Sequence, residues 1–146
     1  MTMQTRHFLK KLAHDRIHAA ILVAERRTSG EIRVIVHHQH AGDAVAFARR
    51  EFLRLGMQKT RHRNAVLILV APTSQTFALI GDEAVHAKCD DAFWRELAAA
   101  MQKSFAAGDY TAALVEGVER AGELLAREFP RQPGDANELS DKLIEK

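Results

Sequence analysis

Cysteine is almost absent from this chain. Cys89 is the single one among 146 residues, which excludes an intramolecular disulfide and any cysteine-rich zinc site built within one chain. A nucleophilic thiol needs an activating base and a lowered pKa, and His86, three residues ahead of Cys89, makes no recognised signature for one. Proline is equally scarce at three residues, and with 47% hydrophobic and 27% charged residues the composition stands apart from disordered, collagen-like and low-complexity chains. Long apolar runs are missing too. The longest, Ala65–Ala71, falls far short of the ~20 residues that span a bilayer, and residues 1–11 lack the apolar core and cleavage site of a signal peptide. Nor does one sign of charge dominate: 21 Lys plus Arg against 19 Asp plus Glu leave a formal charge of +2, too close to balance to mark a nucleic-acid or anionic-membrane surface. These absences set the expectation of a soluble, cytoplasmic protein that neither inserts into membranes nor binds nucleic acid.

What the chain does contain is ordered periodicity. Over 6–27, Leu9, Ala13, Ile17, Ala20, Ile21 and Ala24 recur at threes and fours, predicting an amphipathic helix that Gly30 ends in a left-handed conformation. The β-branched stretch 31–37 reads as a strand with little difference between its faces, so helices should cover both. Ala44, Val45, Ala48, Phe52 and Leu55 mark a second helix stopped by Gly56, and 65–70 is a continuous apolar run expected of a central strand. Pro72 sits in a short turn, after which 76–80 returns as an antiparallel partner. Phe93, Trp94, Leu97, Met101 and Phe105 define a third helix ended by Gly108, and a fourth carries Leu114, Val115, Val118, Leu125 and Phe129, with Asp109 or Thr111 as its N-cap. The order predicts an α/β fold: a three-layer α/β/α sandwich with helices on both faces of a mixed sheet. The sheet contains a parallel strand-helix-strand crossover and an antiparallel hairpin. The domain should occupy residues 1–130, leaving 131–146 as a polar C-terminal tail.

Within this frame the residues resemble a known family. The series Thr28-Ser29-Gly30-Glu31-Ile32-Arg33-Val34, then Arg63-Asn64-Ala65-Val66-Leu67-Ile68, Phe77-Ala78-Leu79-Ile80-Gly81-Asp82-Glu83, Phe93-Trp94, Gly108-Asp109-Tyr110 and Gly117 is similar to the TPM domain. That family is named for a thylakoid lumen protein, a photosystem II assembly and repair protein, and a nematode accessory protein of acetylcholine receptors. The resemblance covers roughly 6–130 and implies the same α/β/α fold. It also implies a choice of roles, since plant members are associated with acid phosphatase activity and photosystem repair, and some members bind calcium. Many relatives carry a signal peptide ahead of this domain and a membrane helix or Gly-rich tail after it. Neither is expected here.

Topology suggests where a site would lie. If the strands holding Ile32 and Val66 are parallel and the hairpin strand returns, then Ser29, Glu31, Asn64, Gly81, Asp82 and Glu83 share one sheet edge. Glu31, Asn64, Asp82 and Glu83 supply hard oxygen ligands suited to calcium or magnesium. The other reading is that Asn64 and Asp82 cap strand ends and turns, and it is the more economical one, because spacing alone does not fix ligand geometry. A phosphatase would use the same edge, with Asp82 activating water or holding a metal and Arg63 facing phosphate. No Cys-x5-Arg loop, Asp-x-Asp-x-Thr or Walker glycine loop accompanies it.

Other clusters read as structural. His14 and His18 stand one turn apart, but His7 lies ~10 Å further along the helix, so the three describe a solvated face. His37-His38-Gln39-His40 is a polar strand exit with adventitious metal affinity. The basic stretch 58–63 lacks accompanying aromatics and reads as a solvated loop. Phe93, Trp94, Met101 and Phe105 read as core, with no Gly-rich fingerprint for an organic cofactor. The expectation is a stand-alone binding or accessory module, with a divalent-cation site and an unidentified protein partner. The alternative is a metal-dependent phosphatase.

Overall fold

The computed structural model describes residues 5–10, 12–38, 42–132 and 144–145. Gln39 and His40 of the histidine cluster, and 133–143 and 146 of the expected tail, lie outside the described residues. Along the chain run α1 (Thr5–Lys10), α2 (His14–Glu25), β1 (Glu31–Val36), α3 (Ala44–Arg54), β2 (Ala65–Ala71), β3 (Thr76–Gly81), α4 (Glu83–Lys88), α5 (Asp91–Ala106), α6 (Tyr110–Glu128) and β4 (Ile144–Glu145). The sheet order is β3-β2-β1-β4. β1 and β2 pair in parallel from Glu31↔Ala65 to Val36↔Val70, and β3 returns antiparallel to β2 from Ala71↔Thr76 to Val66↔Gly81.

Both faces of β1 and β2 are dry, as continuous apolar strands require. Ile32, Val34, Val36, Val66, Ile68 and Val70 pack with Ile17, Ile21, Leu97, Met101, Leu114 and Val118 of α2, α5 and α6. Ile35, Ala65, Leu67 and Leu69 point the other way, onto Ala48 and Phe52 of α3. The three-layer α/β/α sandwich with its parallel crossover is thus the observed fold.

Several local expectations are corrected. The long first helix is two: Leu12 turns into the core and the Ala13 N–H donates to Thr111 Oγ1 of α6 at 3.0 Å, a tertiary bond that outweighs helical continuation. Gly30 does not take a positive φ; a Cβ there would stand 3.0 Å from Leu125 and 3.1 Å from the Asn64 carbonyl, so close packing is what requires glycine. Gly56 and Gly108 do adopt left-handed backbone, at φ 72° and 81°, ending α3 and α5. Two elements are additional. α4 is a six-residue helix too short to show a period, and Ile144–Glu145 pairs in parallel with Ile35 and Val36.

Candidate functional site

The starts of β1 and β2 and the end of β3 lie along one edge of the sheet, so residues far apart in sequence meet there. The Asp82 N–H donates to the Ala65 carbonyl at 2.9 Å and the Ala84 N–H to the Arg63 carbonyl at 3.1 Å. β3 therefore runs directly into α4 beside the entry to β2. Asp82 caps that helix, its Oδ1 accepting the Glu83 N–H at 2.8 Å.

Arg63 occupies the same corner in a left-handed backbone conformation, φ 52°, uncommon for a residue with a Cβ. Its Nε donates to Asp82 Oδ2 and its Nη2 to Asp82 Oδ1, each at 2.8 Å, while Nη1 stands 3.4 Å from Glu83 Oε1. This fork matches the planar carboxylate bidentately. Hydrogen bonding to Asp82 raises the pKa of the guanidinium further. The Asp82 side chain is 5% exposed against 40% for Arg63 and 70% for Glu83, so the pair runs from a buried acid outward to solvent. Arg63 is thereby taken out of the solvated loop expected for 58–63.

Asn64 is buried beside this pair. Its Nδ2 donates to Ser29 Oγ at 3.1 Å, and its Oδ1 has no hydrogen-bond partner among the described residues. Burying a carbonyl oxygen without a partner is costly, which makes this atom unusual. Glu31 is also buried, but strand alternation sends it to the α3 face with Arg33 and Ile35, away from the face that Ile32 and Val34 present to α2 and α6. Asp82, Glu83 and Arg63 form one group, Asn64 and Ser29 a second, and Glu31 belongs to a third.

That third group was not foreseen. Glu25, at the end of α2, is buried and its Oε2 accepts the Ile32 N–H at 2.7 Å, beside the buried Arg33. Burial lowers the Arg33 pKa, with Glu31 and Glu25 acting in the opposite sense. The sequence signal was present: Glu25 follows Ile21 by four residues on the apolar stripe, and Arg33 interrupts an apolar strand.

Asp82 offers its oxygens to a cation already in place, the guanidinium. Among the described residues, no group of three or more His, Cys, Asp or Glu side chains is placed to hold a metal ion. Burial raises the Cys89 thiol pKa, with Asp90 and Asp91 adding to the rise against Trp94 and Arg127, the opposite of the lowering that activates a thiolate. His37 packs against Phe47 with ring centroids 4.1 Å apart and the planes tilted by 37°. Among the described residues, no helix is long and apolar enough to cross a membrane.

The TPM domain, as a sequence family, matches residues 3–124. Among solved structures, the chain is similar to the NMR structure of the BA42 protein from the psychrophilic bacterium Bizionia argentinensis. The TM-score is 0.83 at 36% identity, with 92% of this chain and 95% of that one covered. No curated protein sequence matches it.

Proposed function

Because the chain belongs to the TPM domain family, we propose that it works as a binding or accessory module whose Asp82–Glu83 edge takes calcium or magnesium by exchanging Arg63 for the ion. One observation carries this reading. The Arg63 guanidinium lies bidentate on Asp82 and 3.4 Å from Glu83, the position a hard cation would occupy between two carboxylates. Asn64, paired with Ser29 in the second group, stands outside this exchange. Water would complete the shell.

Exchange has a thermodynamic consequence. The ion must displace a charge-assisted fork, so its apparent affinity is reduced by the stability of that fork. A hydrolytic reading asks Asp82 to activate water or substrate, which would need the same displacement of Arg63 from its two oxygens.

Thermal unfolding under calcium or magnesium titration tests the exchange, since a ligand selective for the native state raises the midpoint. The wild-type midpoint should rise in the millimolar range, R63Q should respond at lower ion concentration, and D82N should not respond. An R63Q chain no more sensitive than wild type overturns the exchange. Phosphomonoester turnover by pure protein, abolished in a folded D82N chain, would overturn the accessory role in favour of a phosphatase.

A further inference from the structure

At the other end of the sheet, roughly 20 Å from Asp82 by the length of β2, a cavity of about 390 Å³ opens between α1, the β2–β3 turn, the last turn of α5 and the start of α6. Its walls gather four of the nine aromatic side chains of the protein, Phe8, Phe77, Phe105 and Tyr110. The rings form a continuous line: Phe77 to Phe105 at 5.3 Å, Phe105 to Phe8 at 6.4 Å and Phe8 to Tyr110 at 4.9 Å between centroids, all tilted. As an open cleft the cavity has a volume within the range of clefts that hold small ligands. It also lies at the carboxyl end of β2, where open α/β sheets with parallel strands take their ligands.

The lining states the chemistry. Among the described residues it contains no charged side chain; its polar groups are the amides of Gln75 and Gln102 and the hydroxyls of Thr76 and Tyr110. An ion entering would lose hydration with no opposite charge to meet it. Phe8 is buried behind the cleft, so the partly buried Phe77, Phe105 and Tyr110 are the rings that can make offset contacts with another flat ring, while the exposed Gln102 amide gives a donor and an acceptor at the rim.

We propose that this cavity binds an uncharged, flat aromatic or heteroaromatic molecule of one or two fused rings. This site is separate from the carboxylate edge and does not rest on it.

The test is an amide-resolved NMR titration of the full chain with three probes: indole as the neutral ring, benzoate as the anion, tetramethylammonium as the cation. Indole should give saturable shifts centred on Thr76, Phe77, Gln102 and Phe105, with a Kd below ~1 mM. Benzoate and tetramethylammonium should bind at least about tenfold more weakly. Ala106→Trp, at an exposed helix position lining the cavity, should plug it and weaken indole at least about tenfold. Gln102→Ala, also exposed, should keep the fold and weaken indole by a smaller factor. Non-saturating indole shifts, unchanged affinity in Ala106→Trp, or tetramethylammonium binding more tightly than indole each overturn the proposal, the last by replacing it with a cation cage.

Discussion

His37 closes β1. Its N–H donates to the Val70 carbonyl at 2.8 Å, extending the β1–β2 ladder by one residue, and its ring lies against Phe47, over which Arg50 also stands at 5.6 Å. Burial lowers the His37 pKa, the nearby Glu51 opposes this, and His38 adds a small push in the same direction as burial. The sign follows from linkage. Because the folded protein disfavours the imidazolium, the unfolded chain takes up the proton first as pH falls. The stability His37 contributes is therefore present above the ordinary value of about 6.5 and is lost as pH descends from there through the folded pKa. His37→Phe keeps a ring on Phe47 and removes the titration. The expected result is a wild-type unfolding midpoint that falls relative to His37→Phe as pH drops from 7 toward 5, together with a ring-proton NMR titration centred below 6.5. A midpoint at or above 6.5 would contradict the burial argument.

Between elements, the tightest approach is that of α2 and α6. They run parallel, with the Ala13 N–H on Thr111 Oγ1 near their starts and Ala24 against Gly122 eleven residues on. A Cβ at Gly122 would stand 2.6 Å from the Ala24 Cβ, a stub fixed to its backbone, so the helices themselves would have to part. Gly117 differs: its Cβ would stand 2.9 Å from Met101 Sδ, on a long and adaptable side chain. Gly122→Ala should thus cost ~1–3 kcal/mol by overpacking despite better helix propensity. Gly117→Ala should stay within ~1 kcal/mol of wild type, strain and propensity offsetting one another. Urea unfolding of the two variants checks the contrast, and equal losses would remove it. Most of the elements were legible in the sequence. β2, β3, α3, α5 and α6 follow from period and from Gly56, Gly108 and Asp109, whose Oδ1 caps α6 by accepting the Ala112 N–H at 3.1 Å. The break between α1 and α2 was not legible, because the partner its first free N–H finds, Thr111 Oγ1, lies 98 residues away in sequence. At the candidate site, Asp82, Glu83, Asn64 and Glu31 could be assigned to one edge by topology. The Arg63 fork could not, since it depends on a left-handed backbone at a residue with no glycine to announce it. The turning away of Glu31 was readable in principle, from Ile32 and Val34 sharing the opposite face.

For the molecule as a whole, the exposed side of β1 presents the structural problem, because an open strand edge is a template for association. Two devices divide the task. Toward its start, Glu25 Oε2 reaches from the end of α2 to accept the Ile32 N–H at 2.7 Å. Toward its end, Ile144–Glu145 lies in parallel register with Ile35 and Val36. Ile144 and Glu145, within a stretch polar in sequence, thereby join the sheet. Removing 133–146 leaves the Ile35–Val36 end of β1 open while the apolar faces of the sheet stay covered by α2, α3 and α6. Such a chain should remain folded, exchange the amides at the 35–36 end faster than those of 66–69, and self-associate with rising concentration. Glu25→Ala in the full chain removes the other device and leaves a buried N–H without its acceptor, at a cost of ~1–3 kcal/mol. Because the two devices guard different ends of one strand, their combination should associate more than either alone. Sedimentation velocity across a concentration series reads this directly. A truncated chain that stays monomeric with unchanged exchange at 35–36 would show that β4 is not what protects the edge.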